Sequence, residues 1–167
     1  MEVSKLEEKP VEVKKVVTKN LDKDTVNAAS EIATKEANEA AMKSIPKTAA
    51  GFEKDFNQLK KDSSNVYQYL RKIPAKTFES LYKSAEIEAH VFSGLLSAIT
   101  EHGLSSKDGA KHAGEFLASM SKASSFDMTL MFLEDSEKKS ISSIITLAKK
   151  QTDKATVKIL DDVYGSL

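Results

Sequence analysis

The aromatic residues divide this 167-residue chain into two unequal parts. Residues 1–51 contain no Phe, Tyr or Trp, and the first aromatic residue is Phe52. From there Phe52, Phe56 and Leu59 follow one another at intervals of four and three residues, which is the apolar stripe of an amphipathic helix. A segment without large apolar side chains cannot offset the entropy lost on ordering. The sequence therefore predicts a disordered arm followed by a helical domain.

Residues 1–46 are predicted to be this disordered arm or linker. Its boundary falls at Ile45-Pro46, because the residue before a proline disfavours the helical conformation. Two alternatives of local order remain open within the arm. Residues 22–43 are rich in Ala and Glu and are compatible with a frayed helix. A partly strand-like spacing is shown by Val11, Val13, Val16 and Val17.

Residues 47–151 are predicted to fold into a compact all-α bundle of about seven helices. Apolar residues recur every three or four positions in this region, and no segment alternates as a β-strand does. Residues 152–167 add a C-terminal helix or a tail. One helix is expected from Ile87 to His102, with Gly103 at its end, because helices often terminate at a glycine with positive φ.

Charge and composition exclude several classes of function. The 25 Lys and Arg residues equal the 25 Asp and Glu residues, so the basic excess typical of a nucleic-acid-binding domain is absent. The chain has no cysteine, which excludes disulfides and thiolate chemistry. No apolar run reaches the length of a membrane span, and the charged N-terminus lacks a signal-peptide core. We expect a cytoplasmic and nuclear protein that binds neither nucleic acid nor membrane.

Residues able to carry catalysis are few and scattered. The one conceivable metal site combines His102, Asp108 and His112, but their spacing matches no tight metal-ligand motif. The sequence also lacks a GxSxG elbow, a Walker loop and a GxGxxG turn. We therefore predict that the chain is not an enzyme and that it holds no metal or cofactor.

The segment from Phe126 to Leu133 is unusually apolar, with six large apolar side chains in eight positions. A helix that buries one face needs only three to four such residues in two turns. Either the segment is enclosed on nearly all sides or part of it is exposed for a partner. If Phe126, Leu130 and Leu133 form the inner stripe, the residues that point elsewhere are Ser125, Met128 and Phe132.

Residues 52–150 resemble the C-terminal domain of the RNA polymerase II-associated protein 3 family. This family belongs to the tetratricopeptide-repeat co-chaperones, and its domain is shared with some dynein-arm assembly factors. The matching motifs occur in order through the folded region: Phe52–Lys60, Tyr67–Leu70, Ile73-Pro74 followed by Phe78, Leu81–Lys83, Phe126–Met128 leading to Phe132, and Glu137–Lys139.

The resemblance implies a docking role in a chaperone complex. In that family the domain binds a RuvB-like AAA+ ATPase, Reptin or Pontin, with Reptin the preferred expectation. The complex includes heat shock protein 90 and assembles RNA polymerase II, small nucleolar ribonucleoproteins and PIKK kinases. Heat shock protein 90 would be bound by repeats outside this chain, which would then be the C-terminal piece of a longer protein. The alternative is a dynein-arm assembly adaptor that does not bind RuvB-like ATPases.

The resemblance also suggests which residues contact partners. The family's partner surface includes the region around Met128, so the expected contact residues are Lys122, Ser125, Met128 and Phe132. The family commonly has a basic residue where this chain has Ser125, and Lys122 is the nearest cation. In relatives a segment upstream of the domain adds a strand to a PIH-domain protein. In this chain such β-augmentation would use Val11, Val13, Val16 and Val17.

Overall fold

The computed structural model describes residues 34–167, and these residues form nine α-helices, one π-helical turn and no strand. The predicted all-α bundle is therefore confirmed. The strand predicted around Val11 to Val17 lies outside the described residues and stays a prediction. In chain order the elements are α1 (34–41), α2 (Ala49–Leu59), α3 (Ser63–Lys72), α4 (Ala75–Leu81), α5 (Ala89–Ala98), the π-turn (Ile99–Gly103), α6 (Lys107–Met120), α7 (Phe126–Met131), α8 (Asp135–Ala148) and α9 (Lys154–Tyr164).

Helix α1 lies within the region predicted as an arm. Ala41 at its end is buried in the main core, and Met42 packs against that core. The Lys72 ammonium donates a hydrogen bond to the Met42 carbonyl at 3.2 Å. Ordered packing therefore begins before Ile45-Pro46. Within residues 22–43, for which a frayed helix was one alternative, residues 34–41 do form a helix.

Polar side chains fix where several helices begin. Thr48, Asp62, Ser106 and Asp153 each accept a hydrogen bond from a backbone N–H in the first turn of the helix that follows. At α8, Glu134 and Glu137 form a reciprocal capping box. Such caps satisfy N–H groups that have no partner within the helix.

An aromatic cluster holds the bundle together. Phe78 meets both Phe52 and Phe116 edge to face, with ring centroids 5.2 and 4.9 Å apart. Phe92 joins the cluster through Phe116 and also meets Phe126 edge to face at 5.2 Å. Such pairs add to the free energy gained by burying their area. Helix α6 is central, because α4, α8 and α9 all pack against it.

The predicted role of Gly103 is wrong. The α-helix ends at Ala98, and the chain continues as the π-turn. No glycine among residues 34–167 has a positive φ. Gly103 is buried, and a Cβ atom there would lie 2.9 Å from Cε2 of Tyr67. The glycine therefore allows a close approach between the π-turn and α3, and it does not serve as a left-handed cap.

Candidate partner-binding surface

Helix α7 is short and is attached to the bundle by one face. Phe126 is only 3% exposed, and it packs against Phe92 and Tyr164. Thr129 is also buried, and its hydroxyl donates to the Ile87 carbonyl at 3.4 Å. Leu133, just after the helix, is buried as well. These contacts fix both ends of α7, so its other face has a defined orientation.

The outward face of α7 carries three exposed apolar side chains beside the exposed Asp127. Met128 is 54% exposed, Met131 80% and Phe132 72%. We call these three side chains the apolar patch. Adjacent large apolar side chains that remain in contact with water indicate an interaction site more often than isolated ones do. Methionine suits such a surface, because its flexible, polarisable side chain adapts to the shape of a partner.

Ser125 precedes α7 in a strained conformation. Its φ of 53° and ψ of 29° are left-handed, and it is the one non-glycine residue with positive φ in the described part of the chain. Such a conformation costs an L-residue about 1–2 kcal/mol. The neighbouring Ser124 N–H donates to the Tyr82 carbonyl at 2.9 Å. Ser125 thus redirects the chain into α7 and sets the direction in which the apolar patch faces.

Lys122 lies before this turn and is paired within the molecule. Its ammonium is 2.9 Å from Oε2 of Glu79 on α4, and both side chains are partly exposed. An ion pair of this kind contributes about 0–1 kcal/mol to stability. The cation is therefore oriented without being deeply buried, and a partner carboxylate can compete for it.

The predicted contact residues differ in their exposure to solvent. Met128 and Phe132 share an exposed face, Ser125 is half-buried and Lys122 is exposed. Whether they contact a partner stays a prediction. Met131 was not among the predicted contact residues, although it lies three residues after Met128 and so shares its helix face. Among the expected inner residues, Phe126 and Leu133 are buried, and Leu130 is half-buried against the core.

The conceivable metal ligands have other partners. The His102 ring is 2.9 Å from the Ser63 hydroxyl, and the His112 ring is 3.1 Å from the Ile73 carbonyl. Burial lowers the pKa of His112 below its usual value. Within residues 34–167 no group of three His, Cys, Asp or Glu side chains is placed to hold a metal ion. In the same range, every helix is too short or too polar to span a membrane.

An all-helical domain with an oriented apolar patch has the features of a protein-binding module. A family model described as the potential Monad-binding region of RPAP3 matches residues 45–138. The chain therefore belongs to the family of the RNA polymerase II-associated protein 3 C-terminal domain. This is a family of helical protein-binding domains and not of enzymes.

Individual relatives agree with this assignment. The chain is 32% identical to RNA polymerase II-associated protein 3 of Xenopus laevis over 94 residues, which cover 56% of this chain and 14% of that protein. It is 27% identical to the Homo sapiens protein over 122 residues, or 72% of this chain and 18% of that protein. The chain thus spans less than a fifth of these relatives.

A solved structure shares the fold. It is the NMR structure of the C-terminal domain of the human RPAP3 protein, which matches with a TM-score of 0.63 and 26% identity. The match covers 74% of this chain and 90% of that one. The predicted family resemblance is therefore confirmed in both sequence and structure.

Proposed function

We propose that this chain is a scaffold domain that docks a RuvB-like AAA+ ATPase, Reptin in preference to Pontin, into a heat shock protein 90 co-chaperone complex. The clients of such a complex would be RNA polymerase II, small nucleolar ribonucleoproteins and PIKK kinases. The observation that carries the proposal is the apolar patch, in which three neighbouring side chains are between 54% and 80% exposed. Family membership supports a partner-binding role for this domain.

The mechanism is the docking of a preformed surface. Helix α7 is already fixed by Phe126, Thr129 and Leu133, so little conformational entropy is lost when a partner covers the opposite face. Met128 and Phe132 provide the apolar centre of the contact, and Lys122 lies at its rim. In interfaces of this kind a few central apolar residues supply most of the binding free energy.

The direct test replaces Met128 with Glu and measures capture of purified RuvB-like ATPase. Burying an unpaired carboxylate against an apolar partner surface should weaken binding at least about 100-fold. The matched control is Ile45→Glu, because Ile45 is 50% exposed and lies outside the patch. Circular dichroism should show the same helix content for all three proteins. Equal capture by wild type and Met128→Glu would rule out the patch as the docking site.

A second candidate partner follows from the family description. The family model that matches residues 45–138 is described as the potential Monad-binding region of RPAP3. Monad is therefore a candidate occupant of the same patch. Parallel capture experiments with Monad and with each RuvB-like ATPase decide between them. Capture of neither ATPase would favour the alternative of a dynein-arm assembly adaptor.

Further contacts are proposed for the rest of the assembly. The segment containing Val13 and Val16 would add a strand to a PIH-domain protein, and heat shock protein 90 would bind repeats outside this chain. Both interactions would take place in the cytoplasm and nucleus. Replacing Val13 and Val16 with Asp in the whole chain should abolish capture of the PIH-domain protein and leave capture of the ATPase unchanged. Unchanged capture of the PIH-domain protein would contradict the strand-addition proposal.

A further inference from the structure

A second surface feature lies along α4, close to the turn that leads into α7. It is an open groove of about 630 Å³, which we call the lysine groove. Its lining residues are Lys76, Thr77, Glu79, Ser80, Lys83 and Lys122. Four of these residues come from α4, Lys83 lies two residues after α4, and Lys122 lies two residues after the end of α6.

The groove carries an excess of positive charge. Three ammonium groups face one carboxylate, and the carboxylate of Glu79 is already paired with Lys122. Neither Lys76 nor Lys83 has an ion-pair partner among residues 34–167, and both are exposed. Since the whole chain has a formal net charge of zero, this excess is a local feature. A groove lined by one sign of charge attracts ligands of the opposite sign.

Lys83 is the lysine of the groove that does not also line the neighbouring, more acidic groove. A neighbouring groove shares Lys76 and Lys122 but also contains the acids Glu115 and Asp153. Neither acid lines the lysine groove itself. An acidic ligand would therefore be favoured toward the Lys83 side, since Glu79 is the one acid in the lining of the lysine groove.

Two hydroxyl groups add to the capacity of the groove to bind a carboxylate. The side chains of Thr77 and Ser80 make no hydrogen bond with another described residue. By contrast, Ser142 and Ser143 on α8 donate to carbonyls of their own helix. Hydroxyls and ammonium groups together match the acceptor-only character of an ionised carboxylate.

The lysine groove adjoins the apolar patch. Lys122 lies three residues before Ser125, which leads directly into α7. The end of α4 is tied to the same turn, because the Tyr82 carbonyl accepts a hydrogen bond from the Ser124 N–H. Lys83, which is next to Tyr82, therefore lies beside the turn that orients the patch.

We propose that the lysine groove receives an acidic segment of the same partner that covers the apolar patch. This inference rests on the proposed function for the location of the patch, and it adds the chemistry of the partner. The segment would carry at least two Asp or Glu carboxylates, one for Lys83 and one that displaces Glu79 from Lys122. Charged contacts at the rim of an interface mainly speed association and select the partner.

The first experiment tests the groove without the ATPase. Hexaglutamate is titrated into the whole chain at about 50 mM salt, where screening is moderate, and backbone amide shifts are followed by NMR. Shifts should concentrate at residues 76–83 and at Lys122. The double variant Lys76→Glu/Lys83→Glu should lose them, and the matched control Lys60→Glu/Lys61→Glu should keep them. Equal shifts in the two variants, or equal shifts with inorganic phosphate at the same ionic strength, would overturn the inference.

The second experiment uses purified RuvB-like ATPase and measures rates. Lys76→Glu/Lys83→Glu should slow association about tenfold and change dissociation by less than about twofold. An unchanged association rate refutes the acidic-segment inference, whereas the proposed function is judged separately by Met128→Glu. If the wild-type chain captures no ATPase, the proposed function fails. The hexaglutamate titration then tests by itself whether the lysine groove binds carboxylates. Amide shifts located outside the groove would contradict the inference.

Discussion

Helices α7 and α8 follow each other in the chain and present opposite chemistry to solvent. On α8 the outward residues Ser142, Ser143 and Thr146 donate hydrogen bonds of 2.8 to 3.0 Å to carbonyls of their own helix. On α7 the outward residues are the apolar patch and the exposed Asp127 beside it, and the three side chains of the patch have no polar group that water can satisfy. The outward hydroxyls of α8 already have hydrogen-bond partners and are stable in contact with water. Covering the apolar patch of α7 with a partner, by contrast, removes apolar area from water and lowers the free energy. The chemistry of the outward side chains, and not the exposure of a helix, distinguishes a binding surface from a solvated one.

The largest expected effect separates the two faces of α7. Phe126→Ala removes a buried ring in contact with Phe92 and Tyr164, so the free energy of unfolding should fall by about 3–5 kcal/mol. Phe132→Ala removes an exposed ring and should change it by less than about 0.5 kcal/mol. Urea unfolding measures both changes. A loss of more than about 2 kcal/mol for Phe132→Ala would place that ring in the core and contradict the patch.

The next effect concerns the turn that orients α7. Ser125→Val places a β-branched side chain in a left-handed conformation and should lower the free energy of unfolding by about 1–2 kcal/mol. Ser125→Gly removes the Cβ clash and should leave it unchanged or raise it slightly. The same urea titrations compare the two variants. If both variants were as stable as wild type, Ser125 would not hold α7 in a strained turn.

A smaller effect is expected at the start of α8. Glu134→Ala removes the side chain that accepts from the Glu137 N–H in the capping box, while the backbone N–H of residue 134 can still donate to Glu137. The loss of that half of the box should cost about 1 kcal/mol. Capture of the ATPase should be unchanged, because α8 contributes to the fold and not to the proposed contact. Loss of capture at unchanged stability would extend the binding surface onto α8 and weaken the contrast with α7.

Local patterns in the sequence predicted most of the bundle and part of the patch. Apolar spacings of three and four residues identified the helices and the burial of Phe126, and the excess of apolar residues singled out α7. Features that depend on distant packing were missed. Ala41 is buried because the rest of the core covers it, and a small side chain gives no such signal in sequence. The role of Gly103 was predicted wrongly because the side chain that leaves no room for a Cβ atom there, the ring of Tyr67, lies on another helix. The lysine groove was not predicted because its lysines lie about 40 residues apart in the chain, on α4 and in the segments that follow α4 and α6, where the sequence interleaves them with acids.

The smallest expected effect tests whether the outward hydroxyls of α8 play no part in binding a partner. The Ser143 hydroxyl is exposed and donates to the Lys139 carbonyl at 2.9 Å, a bond that competes with the backbone of the helix. Ser143→Ala should therefore raise the free energy of unfolding by about 0.5 kcal/mol, since Ala is the better helix former. Urea unfolding and ATPase capture measured together test this, and capture should not change. A tenfold loss of capture would show that a hydroxyl bonded to its own helix still contributes to recognition, and the distinction between the two faces would fail.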